Sequence, residues 1–175
     1  MRQTWASIML LVMAAVARAD VESGPKPGEK TEEFNVYGIA DEKEVSPVAD
    51  RKDKPTVYAF VQHSRFDRPM ARFLKTLDGD GKSANDAVQI QAIWLTDKAD
   101  AAKENLPKVN MSLKFANTAL SVFDGTAGPN GWSLNSDAHL TVVVVEKGKV
   151  IASFAYQSVN ETDVPKVIEA IKKLK

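Results

Sequence analysis

Residues 63–69 hold several side chains that could carry out chemistry. They read His63-Ser64-Arg65-Phe66-Asp67-Arg68-Pro69. A serine hydroxyl beside an imidazole base suggests a nucleophile for hydrolysis, and two arginines suggest a site for a phosphate or a carboxylate. The only other histidine of the sequence is His139.

Each of these interpretations has an ordinary structural alternative. Hydrolysis needs a third residue that orients the imidazole, and no such residue is evident near His63 and Ser64. Surface histidines that bind nothing are commoner than metal ligands, and isolated arginines usually face solvent. The acidic segment 78–82 resembles the start of a calcium loop, but Lys82 and Gln89 stand where that loop needs an oxygen ligand and a glutamate. We therefore expect a polar turn that ends a helix at this segment.

The sequence contains no cysteine. Thiolate nucleophiles, disulfide exchange, iron–sulfur clusters and cysteine-ligated zinc sites are therefore impossible in this chain. Its stability depends on its core alone, without disulfide bonds.

The elements on either side of residues 63–69 predict a strand followed by a helix. The run 56–61 is β-branched and aromatic, which is typical of a central strand buried on both faces. Apolar residues then recur at helical spacing from Met70 to Leu77, and the helix is predicted to begin near Asp67 or Arg68, since aspartate is a good N-cap. His139 directly precedes a predicted hairpin of strands 140–145 and 150–154.

The remaining patterns complete an α/β order of elements. Strands are predicted over 34–39, 88–95 and 120–123, a helix over 98–115 that Pro107 divides, and a last helix over about 162–174. Segments 41–54 and 124–137 are predicted loops. This order predicts a mixed sheet with helices on both faces.

Residues 1–19 are predicted to be a secretory signal peptide, because Arg2 precedes the apolar run Ile8–Val16 and small residues flank Arg18. The run is far shorter than the roughly 20 residues that span a bilayer. Residues 20–33 are predicted to be a flexible leader and residues 34–175 a single domain. Cleavage after residue 19 would leave 21 basic and 23 acidic side chains, which favours neither nucleic acid nor an anionic membrane as a partner, and no membrane span would remain.

Three stretches together carry a family resemblance. Gly28–Phe34 is similar to a Gly-x-x-x-Pro-x-Phe leader without its proline, Tyr58–Pro69 to the strand that enters an active-site helix, and Ala138–Val150 to the segment around a cis-Pro-Thr pair and the final hairpin. From about Gly24 to Lys175 the chain resembles the thioredoxin-like superfamily, and more closely its peroxiredoxin branch of AhpC/TSA-type proteins. The resemblance implies a thioredoxin-like three-layer α/β fold.

Two departures from that family stand out. The family has a cysteine at the helix start, where free amides and the helix dipole lower its pKa. The residues of this neighbourhood here are His63, Ser64, Arg65, Asp67 and Arg68. Leu140 stands in the place of the cis-proline, so we expect a trans peptide bond there. The candidate ligand-binding residues around the ancestral groove are Arg65, Arg68, His139, Leu140 and Thr141.

The expected function is that of an exported, non-catalytic thioredoxin-fold protein with a binding or structural role, whose partner is an unknown protein or a small anionic ligand. One alternative is a metal-binding or hydrolytic site built on His63, Asp67 and His139, because the resemblance implies that the fold brings the segments of the two histidines together. Two imidazoles and a carboxylate would suit a divalent metal such as zinc or copper. Another is an accessory subunit of an envelope redox complex. No cofactor is expected, and the resemblance implies a secreted or periplasmic location.

Overall fold

A computed structural model describes residues 21–175. The signal peptide predicted over residues 1–19 lies outside the described residues. The helices and strands are, in chain order, β1 (Val36–Gly38), β2 (Lys43–Val45), α1 (Pro47–Asp50), β3 (Thr56–Gln62), α2 (Arg68–Ala84), β4 (Gln89–Thr96), α3 (Ala99–Leu113), β5 (Thr118–Asp124), β6 (Leu140–Glu146), β7 (Lys149–Tyr156) and α4 (Val164–Ile171). Short 3-10 helices at His63–Arg65 and Glu161–Asp163 precede α2 and α4.

The strands form one seven-stranded mixed sheet in the order β2-β1-β5-β4-β3-β6-β7. Strands β3, β4 and β5 are parallel neighbours, whereas β6 runs antiparallel to β3. The predicted central strand and mixed sheet are therefore confirmed. Because β6 is antiparallel, its first residues lie beside the last residues of β3, so that Leu140 pairs with Val61.

The two faces of the sheet are covered differently. All seven residues of β3 are buried, and alternate side chains point to opposite faces. Val57, Ala59 and Val61 belong to one hydrophobic cluster with α2, α3 and α4. The neighbouring side chains Tyr58 and Phe60 belong to a second cluster with aromatic residues and α1. Helices therefore lie on both faces, as predicted, with the three longer helices on one of them.

Helix α2 continues through the acidic segment 78–82, where a terminating turn was expected. The Asp78 side chain is buried, and its carboxylate accepts hydrogen bonds from the amides of Ala116 and Asn117 and from Thr118 Oγ1 at 2.9, 2.8 and 2.7 Å. These bonds tie α2 to the chain that enters β5. The prediction of a turn was wrong because donors from distant residues satisfy this carboxylate inside the fold. The Asp78 side chain is therefore not available as a calcium ligand.

The described part of the predicted leader lies against the sheet. Ser23 Oγ is 2.6 Å from Thr141 Oγ1, and the amide of Gly28 donates to the Val150 carbonyl. Lys30 forms an isolated antiparallel bridge with Lys149 at the start of β7. Glycines and prolines had suggested a flexible leader, but here they let the chain follow the hairpin edge without a regular strand of its own.

Two other expectations need correction. The segment 41–54, expected to be a loop, contains β2 and α1. Pro107 lies inside α3 rather than dividing it; buried Ala102 and Leu106 pack this helix on the core despite the lost hydrogen bond. The β6–β7 hairpin and the last helix are confirmed. Within residues 21–175, no helix combines the length and apolar character needed to cross a membrane.

Candidate functional site

The start of α2 lies at the carboxyl end of β3, where the sequence placed it. Asp67 is the N-cap residue, with extended backbone, and its Oδ1 accepts a hydrogen bond from the Met70 amide at 2.9 Å. Pro69 occupies the first turn, where its missing N–H leaves no helical partner unsatisfied. The predicted helix start and its aspartate cap are therefore confirmed.

This arrangement leaves few donors for a bound anion at the helix tip. Helix starts attract anions because their first amides have no partner within the helix. Here Pro69 has no amide hydrogen and the Met70 amide is already bonded to Asp67. The Asp67 carboxylate is thus the resident anion of this helix start, and any external anion would depend on side chains.

The histidine segments lie side by side, but they do not form a metal centre. The Gln62 amide donates to the His139 carbonyl at 3.0 Å, and the His139 amide donates to the Tyr156 carbonyl at 2.8 Å. Within residues 21–175, however, no three histidine, aspartate or glutamate side chains lie close enough to hold a metal ion. The expected set of His63, His139 and Asp67 is not assembled, because Asp67 turns back to cap its own helix.

The candidate nucleophile is not activated either. Ser64 lies on the exposed 3-10 turn between β3 and α2. His63 Nδ1 is buried and has no hydrogen-bond partner, so this nitrogen does not contact the serine hydroxyl. The geometry therefore lacks the base contact that a serine nucleophile needs.

Two of the candidate ligand residues belong to the core instead of the surface. Leu140 is completely buried in the helix-side cluster, and the described peptide bonds are all trans, as expected at this position. Thr141 is buried on the other face, where its hydroxyl contacts Ser23. The expectation that these side chains line a groove is wrong, because helices cover one face and residues 23–25 cover the other.

Two contacts at this end of the sheet were not predicted. The Phe66 ring packs edge-on against Trp94, with centroids 5.3 Å apart. The side-chain amide of Gln62 donates through Nε2 to the Thr126 carbonyl at 2.8 Å and thereby joins the end of β3 to loop 125–139. An apolar residue between Arg65 and Asp67 was the signal for the first contact, since phenylalanine in a charged segment usually packs on a core.

His63 Nδ1 and Tyr156 Oη are both buried without a hydrogen-bond partner. Tyr156 pairs with Leu140, which pairs with Val61, so the tyrosine lies in the strand row next to the His63 turn. Buried polar atoms are nearly always hydrogen-bonded in folded proteins. These two atoms therefore mark this end of the sheet as a place where a polar partner would be stabilised.

Replacing Tyr156 by phenylalanine should leave the free energy of unfolding unchanged or raise it by about 1 kcal/mol, because a buried, unpaired hydroxyl is removed. Burial raises the pKa of Tyr156, so the phenol is neutral at pH 7. Tyr58→Phe is the matched control, since the Tyr58 hydroxyl donates to the Pro47 carbonyl at 3.2 Å, and it should cost about 1 kcal/mol. Urea unfolding of both variants measures the difference; an equal loss would contradict the unpaired hydroxyl.

The architecture was compared with known proteins. No family model matches the sequence, and no curated protein matches it. Solved structures do match: a DsbF homologue from Corynebacterium diphtheriae has a TM-score of 0.62 at 20% identity, covering 90% of this chain and 96% of that chain. A peroxiredoxin-like protein from Aquifex aeolicus has a TM-score of 0.63 at 15% identity, covering 89% and 91%. A putative thiol:disulfide interchange protein DsbE from Chlorobium tepidum has a TM-score of 0.60 at 16% identity, covering 83% and 95%.

This chain has the thioredoxin-like fold. The identities are too low to carry an activity from these proteins to this one. Both thiol:disulfide interchange and peroxiredoxin names occur among these similar structures, so the fold alone does not decide between these two groups of proteins.

This chain has no thiol at the start of α2. A Cys-x-x-Cys pair that began at the N-cap would need thiols at positions 67 and 70. Asp67 and Met70 stand there, and the full sequence has no cysteine. The chain therefore combines the thioredoxin-like fold with a sequence that contains no cysteine, and a carboxylate stands at the N-cap of this helix.

Proposed function

We propose that this chain is an exported, non-catalytic binding protein whose contact surface lies at the start of α2 and accepts an anionic group. The observation that carries the proposal is the N-cap: Asp67 occupies it, and no cysteine exists that could act there. A thioredoxin-like fold with this helix start keeps its shape without thiol function, and surface recognition is the role that fits it best.

Two arginines supply the charge of the proposed surface. Arg65 and Arg68 are exposed on either side of Asp67, and neither guanidinium forms an ion pair with any residue in the described part of the chain. With Asp67 between them, the three side chains carry one net positive charge. Guanidinium groups bind carboxylates and phosphates through paired hydrogen bonds, so a small anion or an acidic segment of a partner protein would suit this surface.

Export is the second part of the proposal. It is supported by the signal-peptide pattern of residues 1–19, and cleavage after Ala19 would leave Asp20 as the first residue. Mass spectrometry of the protein recovered from outside the cytoplasm measures this directly. A recovered chain that still begins at Met1 would contradict cleavage.

Titration of the purified protein with inorganic phosphate, citrate and an oligoglutamate peptide, followed by NMR, tests the surface. We expect shifts at residues 63–68, and we expect the double variant Arg65→Glu/Arg68→Glu to weaken binding by about tenfold or more, because two charge-assisted contacts are lost. Binding of the peptide alone would indicate a protein partner, whereas binding of phosphate or citrate would indicate a small anion.

The double variant Lys52→Glu/Lys54→Glu is the matched control. It makes the same change of net charge at two exposed residues that precede β3, at the other end of that strand. Its affinity should remain close to that of the unaltered protein. Equal weakening in both variants, or no binding of any of the three probes, would contradict the proposed surface.

A further inference from the structure

A cavity of about 190 Å³ lies at the end of the sheet opposite the start of α2. Its lining includes Gln89 and Gln91 near the beginning of β4 and Ser121 of β5, together with the β1–β2 turn and α1. Gln89 pairs with Thr56, the first residue of β3, so the length of β3 separates this part of the lining from His63 by roughly 20 Å. The volume is many times the roughly 10–15 Å³ that one water molecule requires.

A buried hydroxyl without a hydrogen-bond partner and a glutamine side chain line this cavity. Ser121 is 3% exposed, and its hydroxyl is buried without a hydrogen-bond partner. Gln91 is 9% exposed, and its side-chain amide makes no hydrogen bond to another described residue. A buried hydroxyl such as that of Ser121 is normally paired, since leaving it unpaired is costly. A polar ligand in the cavity could therefore form hydrogen bonds that the wall residues do not form with one another.

The charges at the cavity favour a cation. Asp41 and Asp50 both line it, and neither forms an ion pair with a residue in the described ranges. Asp41 Oδ2 lies over the β1–β2 turn, 3.4 Å from the point where a side chain on Gly38 would begin. The carboxylates of Asp41 and Asp50 thus remain available as acceptors for a ligand.

The one cationic side chain of the lining, Arg51, is already engaged. Its guanidinium donates to Thr56 Oγ1 at 3.3 Å and to the carbonyls of Pro55 and Ala87 at 3.1 and 3.2 Å. These bonds hold the Arg51 side chain against the start of the sheet, where it forms part of the cavity wall. Acceptor groups therefore outnumber free donors in the cavity, and a ligand with several N–H donors would match them.

We propose that this cavity binds a small organic cation with N–H donors, of the primary ammonium or guanidinium class. The ammonium group would be held by Asp41 and Asp50, and its other donors would reach the Gln91 amide oxygen and the Ser121 hydroxyl. This site is separate from the surface at the start of α2, and its occupancy does not depend on the function proposed there.

Calorimetric and NMR titrations of the full chain with 1,4-diaminobutane test the proposal, with 1,4-butanediol and succinate as neutral and anionic probes of similar length. We expect the diamine to bind and to shift the side-chain amide signals of Gln89 and Gln91. Asp50→Asn should weaken its binding by about tenfold, since one charge-assisted hydrogen bond is lost, and Ser121→Ala should weaken it less.

Asp53→Asn is the matched control, because Asp53 is exposed beside α1 but does not line the cavity. It should leave the diamine affinity within about twofold of the unaltered value. Any of three results would overturn the proposal: equal binding of the diol and the diamine, equal effects of Asp53→Asn and Asp50→Asn, or a cavity that takes up water only. Because Arg65 and Arg68 play no part, the phosphate and citrate titrations are independent of this result.

Discussion

Replacing Trp132 by alanine should lower the free energy of unfolding by about 3–5 kcal/mol, the range for large aromatic side chains removed from a core. The Trp132 side chain is 0% exposed. Its ring packs edge-on against Phe34, Tyr58 and Phe60, with centroids 5.3, 5.1 and 5.0 Å away. Its indole N–H also donates to the Glu32 carbonyl at 3.0 Å. Urea unfolding followed by far-ultraviolet circular dichroism measures the loss.

The large effect follows from what Trp132 covers. Among the helices of residues 21–175, only the short helix α1 lies on this face, so a loop residue and the segment before β1 complete the second hydrophobic cluster. Trp132→Phe is the control: it fills most of the space but removes the bond to Glu32, and it should lose about half as much stability or less. A loss below about 1 kcal/mol for Trp132→Ala would mean that this loop does not pack on the sheet as described.

Replacing Asp78 by alanine should lower the free energy of unfolding by on the order of 3 kcal/mol. The variant leaves two backbone amides and the Thr118 hydroxyl without the acceptor that they share, and each partly buried donor left unpaired lowers stability. Lys75, 3.7 Å from the carboxylate on the preceding turn, also loses its partner. Because that lysine is largely exposed, its share should be small. Chemical denaturation at pH 7 measures the sum.

Asp80→Ala provides the comparison on the same helix. Asp80 is exposed and should change stability by no more than about 0.5 kcal/mol. Asp78→Asn keeps the shape of the side chain but replaces one acceptor oxygen with a donor, so it should fall between the two alanine variants. Equal effects at positions 78 and 80 would show that the carboxylate is not the link between α2 and β5.

Local patterns predicted the elements around the candidate site well. The start of α2 follows from Asp67, Pro69 and the apolar spacing from Met70, because capping and helical burial are properties of neighbouring residues. The β6–β7 hairpin likewise follows from two apolar runs and the turn at Gly148. The absence of thiol chemistry can be concluded without the structure, since it follows from the amino-acid composition alone.

Two of the failed predictions concern side chains whose partners lie far along the chain. Asp78 bonds to residues 38 to 40 positions away, and Ser23 contacts Thr141 across 118 positions. Periodicity reports only which face a residue occupies within its own element. The role expected for Thr141 came from the family resemblance, and the turn expected at Asp78 came from local composition. Tertiary contacts bury both side chains.

The sequence by itself determined the class of fold, the position of the helix that begins at Asp67, and the lack of any sulfur nucleophile. Only the tertiary structure decided that the two histidines and Asp67 do not meet as metal ligands, that residues 21–33 pack along the sheet, and that polar groups line a cavity at its far end. The physical reason is that composition and spacing act locally, whereas the meeting of side chains in space depends on how strands 79 to 89 residues apart pair.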